Sequence, residues 1–254
     1  KGVDNLPENV TWICSNNIFD FPANGFYSSR NYRNGQRDFS CKRARIWWSN
    51  LDENLKLGVL QGIGASVLDL NPSNNTLYNI FNSKKLVLEN RDFDYLESRS
   101  IHDLRFLNNL TNLRSLKLTN FNLNNLSCLS RHRNLKILDC SRNNLKTLEG
   151  IGSLYKSLEV LYCDENRINS LDVLFSFYKL RAIFCENNLI SSLKPLSKSF
   201  RCEVLLCSSN KLTNLEGLEK MRYLKILRIS YNEISDISPI ANSTQLQMFY
   251  CERN

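Results

Sequence analysis

Two histidines and nine cysteines are the residues of this 254-residue chain whose types could support acid–base, nucleophilic or metal chemistry. His102 and His132 lie 30 residues apart, and neither has a cysteine or carboxylate at the spacing of a metal site or a catalytic pair. The sequence therefore predicts no metal site, no cofactor and no enzymatic activity.

The cysteines recur at a nearly constant spacing. Cys140, Cys163, Cys185, Cys207 and Cys251 fall at steps of 22, 23 or 44 residues, which places them at one position of a repeat. Their odd total and this spacing argue against a disulfide framework. We expect free thiols that are buried as small apolar side chains, with neither disulfides nor a metal between them. Free thiols favour a reducing compartment, so we expect a cytoplasmic rather than an extracellular protein.

The apolar residues of the later part of the chain follow the same period. Taking Leu113 as position 1 of a repeat, the same position recurs after 22 or 23 residues, and apolar residues follow at positions 4, 6, 11, 14 and 17. Position 9 is Asn in six consecutive repeats: Asn143, Asn166, Asn188, Asn210, Asn232 and Asn254. Positions 3 to 7 predict a short strand with positions 4 and 6 inward, and the Asn amide is expected to satisfy backbone groups in the following turn.

The pattern LxxLxLxxNxLxxLxxL resembles the leucine-rich repeat, most closely the short repeats of protein-phosphatase regulators and bacterial internalins. The resemblance covers residues 83 to 254. It implies an α/β solenoid with a curved parallel sheet on its concave face and short irregular or 3-10 segments on its convex face. Each repeat buries its apolar side against its neighbours.

We expect two regions. Residues 65–254 form the solenoid, with about eight to nine repeats that are regular from residue 113, and Leu68, Leu70, Leu77 and Ile80 belong to its first repeat. Residues 1–64 are rich in aromatic residues and partly basic, and we expect them to cap the first repeat with a helix from Ile46 to Leu60. Because the chain begins at Lys1 rather than Met, we expect it to be part of a longer protein.

Composition excludes several classes of protein. The chain is 42% hydrophobic and 23% charged, with a net charge of +8, as in ordinary globular proteins rather than disordered or collagen-like ones. No apolar run approaches the roughly 20 residues needed to cross a bilayer, so we expect no membrane span.

A binding surface is expected on the concave face, which consists of positions 3, 5, 7 and 8. Position 5 is large and apolar or aromatic in four of the last five repeats, and acidic residues flank this stripe. An exposed apolar stripe bordered by charge indicates a protein-binding surface, although stacking of adjacent rings could also serve stability alone. The predicted partner-binding residues are Tyr162, Phe184, Leu206, Tyr250, Asp164, Glu165, Glu186 and Arg228.

A second surface is basic. We call it the basic rim: Arg131, Arg133, Lys179, Lys198, Arg201, Lys220 and Arg222, all in the turns that enter the strands. A basic rim could follow a phosphate backbone, but such turns are solvated in any leucine-rich repeat, and we expect no aromatic residues between the basic ones. The sequence therefore favours another protein over a nucleic acid as partner.

The sequence predicts a non-enzymatic module for protein–protein interaction. The resemblance leaves two alternatives open: a regulatory subunit of an enzyme such as a phosphatase, and a secreted or surface virulence or adhesion factor. Nucleic-acid binding through the basic rim is a weaker alternative.

Overall fold

A computed structural model describes residues 27–33, 36–39, 41–65, 70–89 and 104–254. Eight parallel strands form one open sheet in chain order, which confirms the predicted solenoid. Strands β1 and β2 form a separate antiparallel pair, Tyr27–Arg33 and Gln36–Phe39. The strands of the large sheet are β3 (Lys85–Glu89), β4 (Ser115–Thr119), β5 (Ile137–Asp139), β6 (Val160–Tyr162), β7 (Ala182–Phe184), β8 (Val204–Leu206), β9 (Ile226–Arg228) and β10 (Met248–Tyr250).

The strands pair in the register that the repeat predicts, since equivalent positions lie opposite each other. Position 4 of each strand from β4 to β9 is fully buried, whereas positions 3 and 5 point to the other face. This alternation follows from the period of two in a strand. The core is therefore a single apolar layer behind the sheet, continuous from one repeat to the next.

On the convex side, short 3-10 helices carry the chain back in six of the seven connections between strands of the large sheet, and the connection from β8 to β9 has turns instead. The 3-10 helices span Leu104–Asn109, Ser127–Leu129, Gly152–Lys156, Asp172–Ser176, Lys194–Lys198 and Ser238–Ile240. Each contains or follows the apolar residues of positions 14 and 17, such as Leu171 and Leu174, which are fully buried. A 22-residue repeat leaves too few residues for a full α-helix, so these short segments close the core.

The Asn of position 9 joins neighbouring repeats. In Asn188, the amide nitrogen donates to the carbonyl oxygens of Cys163, Cys185 and Glu186 at 3.0 to 3.2 Å, and Oδ1 accepts from the Ile168 amide at 2.9 Å. Equivalent bonds are made by Asn143, Asn166, Asn210 and Asn232. The structural role predicted for this residue is confirmed.

Three α-helices precede the large sheet: α1 (Cys41–Ser49), α2 (Glu53–Gly62) and α3 (Asn74–Asn82). The single helix predicted from Ile46 to Leu60 is wrong, because the chain turns at residues 50–52 and Asp52 caps α2 by accepting a hydrogen bond from the Leu55 amide at 2.8 Å. An Asp at this place satisfies an amide that a continuing helix would bond internally.

The three helices pack against the end of the sheet. A Cβ at Gly62 of α2 would collide with the Val87 carbonyl of β3, so α2 lies directly on the strand. The Trp47 indole donates to the Phe106 carbonyl at 3.2 Å and its ring contacts Phe81, with 4.7 Å between ring centroids. Leu77 and Ile80 are buried on α3, and their assignment to a first repeat stays a prediction.

Parts of the sequence predictions fall outside the described residues: His102, Leu68 and all of residues 1–26. The division at residues 64 and 65 stays a prediction. None of the helices in the described part of the chain has the length and apolar character that crossing a bilayer needs.

Candidate functional site

The middle of the concave face carries two stacked aromatic rings. Tyr162 of β6 and Phe184 of β7 lie opposite each other in register, with ring centroids 4.3 Å apart and planes inclined by 14°. Leu206 follows on β8, and all three side chains are half-buried on the face opposite to the core. The structure thus brings these three predicted residues together as one apolar stripe.

Arg228 and Tyr250 continue the stripe on β9 and β10. The guanidinium of Arg228 lies 4.9 Å from the centre of the Tyr250 ring, and its Nη1 lies 3.8 Å from Oε1 of Glu186. Both contacts are electrostatic attractions of the guanidinium, to the ring and to the carboxylate. This end of the stripe is therefore polar.

Glu186 also approaches Asp164, which precedes it on the neighbouring repeat. Oδ1 of Asp164 accepts the Glu186 amide hydrogen at 2.8 Å. Burial, together with the charges of Glu186 and Asp139, raises the pKa of the Asp164 carboxyl to about 6, although the hydrogen bond from the amide opposes the shift. Asp164 is thus ionised at neutral pH and becomes protonated in mildly acidic solution.

Glu165 is placed differently from the other predicted acids. It is exposed at position 8, where its backbone has a φ of 53°, and its carboxylate lies 3.1 Å from Nε of Arg142. The turn carries its side chain away from the stacked rings, beside the corresponding turn of the previous repeat.

The opposite end of the stripe has an ion-pair cluster that sequence reasoning missed. Nζ of Lys117 pairs with the carboxylate of Glu89 and lies 3.6 Å from Oδ2 of Asp139. The repeat pattern contains the signal, because Lys117 and Asp139 both occupy position 5 and so must be neighbours. The apolar stripe therefore has charged groups at both ends.

The basic rim lies along the edge where the chain enters the strands, and all seven of its residues are exposed. Beside it, position 2 of successive repeats forms a ladder of ion pairs. Lys136 pairs with Glu159 at 2.7 Å, and Glu203 binds both Arg181 and Lys225. These two cations lower the pKa of the Glu203 carboxyl, with Lys225 contributing most.

A groove of about 640 Å³ opens on this edge. Glu159, Arg181 and Glu203 form part of its lining, and the rest is Lys179, Arg201, Phe200 and Tyr223. The expectation that no aromatic residues lie among the basic ones is therefore wrong. The sequence contained the signal, since Tyr155, Tyr178 and Phe200 each immediately precede a basic residue, and Tyr223 follows one.

The cysteines are placed as predicted, with one exception. Seven described cysteines are free; six are buried, and Cys251 on the last strand is exposed. Burial raises the pKa of Cys202 to about 12 and that of Cys163 and Cys185 well above the ordinary value, so these thiols stay protonated and poor as nucleophiles. Among the described residues, no group of three or more His, Cys, Asp or Glu side chains could hold a metal ion.

A family model described as leucine-rich repeats matches two segments, residues 133–176 and 201–242. The chain is a leucine-rich repeat protein. No curated protein sequence matches this leucine-rich repeat protein.

Solved structures similar to this leucine-rich repeat protein include internalin C2 of Listeria monocytogenes, with a TM-score of 0.59 and 22% identity over 81% of this chain and 95% of that one. An internalin (InlF) of the same species has a TM-score of 0.44 and 20% identity, over 79% of this chain and 82% of that one. The ectodomain of the Arabidopsis thaliana receptor kinase GASSHO1/SCHENGEN3, solved with CASPARIAN STRIP INTEGRITY FACTOR 2, has a TM-score of 0.48 and 25% identity, over 57% of this chain and 19% of that one. The similarity to internalin C2 shows a shared fold.

Proposed function

We propose that this leucine-rich repeat protein binds another protein through its concave face and catalyses no reaction. Leucine-rich repeat domains serve protein–protein interaction in general. The finer proposal rests on one observation, the stacked pair of Tyr162 and Phe184 in the middle of the concave face with ion-paired clusters at both ends.

The composition of this surface supports the proposal. Aromatic residues and arginine are enriched among the residues that dominate binding energy at interfaces, and they act best where surrounding groups exclude water. Tyr162, Phe184 and Leu206 provide an apolar centre, whereas Arg228 and Glu186 provide oriented polar groups beside it. A partner that covers the centre would remove apolar surface from water and keep the charged ends hydrated.

The buried thiols support a location for this binding. Six cysteines in the described part of the chain are buried as free thiols, as is usual for proteins of a reducing compartment. We infer that the protein meets its partner in the cytoplasm.

The test removes the ring pair. The immobilised chain captures proteins from an extract of its source organism, captured proteins are identified by mass spectrometry, and their affinities are measured by titration calorimetry. The double variant Tyr162→Ala with Phe184→Ala should bind the partner about 30-fold more weakly, equivalent to about 2 kcal/mol. Both rings are only half-buried on the face opposite to the core, so the melting temperature should change little; the lost stacking by itself is worth about 0.5 to 1.5 kcal/mol.

The control is the double variant Arg131→Glu with Lys198→Glu on the basic rim, which should change the affinity less. A rim variant that loses the partner while the ring variant keeps it would place the binding site on the rim and overturn the proposal.

A further inference from the structure

The entering edge of the sheet carries exposed aromatic side chains that the concave face does not explain. Tyr178, Phe200 and Tyr223 are exposed in successive repeats, whereas Tyr155 of the repeat before them is half-buried against the core. Phe200 and Tyr223 are 44% and 52% exposed and both line the groove. Large rings that are exposed to water cost free energy, and several of them on one edge indicate a binding surface.

Charge is distributed unequally between the two edges of the sheet. The six-residue segments entering strands β5 to β9, 131–136, 154–159, 176–181, 198–203 and 220–225, contain eleven Lys or Arg and two Asp or Glu. The matched segments leaving these strands, 141–146, 164–169, 186–191, 208–213 and 230–235, contain four of each. The positive charge of the repeats is therefore concentrated on one edge, which favours a negatively charged ligand there.

The acidic groups of the entering edge are already neutralised. Glu203 binds Arg181 and Lys225, and Glu159 pairs with Lys136. In contrast, among the described residues no carboxylate forms an ion pair with Lys179 or Arg201, which line the same groove as Phe200 and Tyr223. The groove thus offers two uncompensated cations beside two exposed rings.

We propose that the basic rim and its groove bind single-stranded nucleic acid. Phosphates contact the rim cations, and unpaired bases stack on Phe200 and Tyr223. Proteins that bind single strands without sequence preference combine a positively charged groove with rings that stack on the bases. Rings and cations recur in the segments that enter four successive strands, β6 to β9, so they follow one edge of the sheet along which a linear polymer of phosphates and bases can lie. This surface is distinct from the concave face, and the inference does not depend on the proposed protein partner.

The experiment measures fluorescence anisotropy of labelled oligo(dT) and oligo(U) of about 16 nucleotides with the whole chain, between about 50 and 200 mM salt. The wild-type affinity should fall steeply with salt. The variant Phe200→Ala with Tyr223→Ala should bind at least about tenfold more weakly with an unchanged salt dependence, because stacking releases no counterions.

The variant Lys179→Gln with Arg201→Gln should weaken binding and also reduce the slope of log K against log salt by about 1.4, since each phosphate contact to a single strand contributes about 0.7. Matched controls on the leaving edge are Tyr231→Ala for the rings and Lys146→Gln with Arg142→Gln for the charges. Both controls should bind like wild type, and melting curves of all variants verify that they are folded.

Competition decides the class of ligand. An unlabelled single strand should displace the probe, whereas duplex DNA and poly-glutamate of similar charge should compete much less well, because neither offers unpaired bases to the rings. If poly-glutamate competes as well as the single strand, the rim binds acidic protein segments and the proposal is wrong. Equal binding by all four variants would overturn it as well.

Discussion

At the scale of single residues, the Asn of position 9 shows how one side chain can specify a turn. Its amide bonds to carbonyl groups of two neighbouring repeats, and its Oδ1 accepts an amide hydrogen of the previous one. This role was predictable, because only a short side chain with donors and an acceptor meets the needs of a buried turn. The same reasoning did not predict the backbone conformation of the preceding residue, at position 8.

Position 8 has a left-handed backbone in every regular repeat, including at Arg142, Glu165 and Tyr231, with φ between 53° and 59° at these three. Arg, Glu and Tyr side chains rarely adopt this conformation, so these residue types did not predict it. The turn is imposed by the hydrogen bonds around it, such as that from the Glu165 amide to the Glu186 carbonyl at 2.9 Å. Local preference is overridden here by the packing of repeats.

His132 leads to a pH prediction. The ring of His132 is fully buried, and neither of its nitrogens has a hydrogen bond of good geometry. Burial lowers the pKa of His132 to about 4, although the nearby backbone of Leu129 and Leu107 acts to raise it. The unfolded chain therefore binds this proton more tightly. The contribution of His132 to the free energy of unfolding is fully present above about pH 6.5. As the pH drops to about 4, the free energy of unfolding should fall by about 3 kcal/mol.

Urea unfolding at several pH values checks this prediction against His132→Phe, which fills the site with the residue type found at the equivalent Phe177. The difference in free energy of unfolding between the two proteins should depend on pH between 6.5 and 4. Asp164 acts in the opposite direction in both proteins, because its raised pKa makes the folded state take up a proton first. A pH-independent difference would show that His132 is charged or exposed in the fold.

At the scale of elements, the strands were predictable and the helices only partly so. Each strand is repeated with the same inward residues, so seven copies of the pattern reinforce one assignment. The break between α1 and α2 occurs once, and it depends on the competition between Asp52 as a cap and the helix periodicity that continues from Ile46 to Leu60. A periodic pattern alone cannot resolve that competition.

Glycine in the turns of the solenoid gives a prediction at this scale. Gly217 has a φ of 108°, and a Cβ there would collide with the Leu193 carbonyl of the previous repeat. Gly217→Ala should therefore lower the free energy of unfolding by about 2 to 4 kcal/mol, since both the backbone conformation and the close contact oppose a side chain.

Gly152→Ala is the matched control, because the nearest atom to its Cβ would be Cγ2 of Val173 at an ordinary 3.7 Å. Gly152 lies in a 3-10 helix, and its change to Ala should alter the free energy of unfolding by less than about 1 kcal/mol. If urea titration gave equal losses for both variants, the close approach at Gly217 would not be what fixes this turn.

At the scale of the whole molecule, the contacts that the sequence analysis missed lie between repeats rather than within them. The ladder in which Glu203 binds two cations and the groove beside Phe200 both depend on lateral neighbours from different turns. Within a repeat, spacing alone determines which residues face inward. Between turns of irregular geometry, it does not determine which side chains meet.

Coupling between repeats provides the last prediction. Asn188 and Asn210 belong to adjacent repeats, and both donate to the Cys185 carbonyl, at 3.2 and 3.0 Å. Each change to Ala should lower the free energy of unfolding by about 1 to 3 kcal/mol. Each single variant leaves this carbonyl one donor, but the double variant leaves neither, so its loss should exceed the sum of the single losses by at least about 0.5 kcal/mol.

Asn143 and Asn210 form the comparison pair, because they share none of their recorded hydrogen-bond partners. Their double variant should be additive within about 0.5 kcal/mol, as expected for sites in repeats that do not touch. In a solenoid, stability is approximately the sum of the repeats and their nearest-neighbour interfaces. Coupling confined to the adjacent pair is expected from a core in which each repeat contacts only its neighbours. Equal coupling in both pairs would contradict this, because it would mean that the loss of one Asn affects the free energy of distant repeats as strongly as that of adjacent ones.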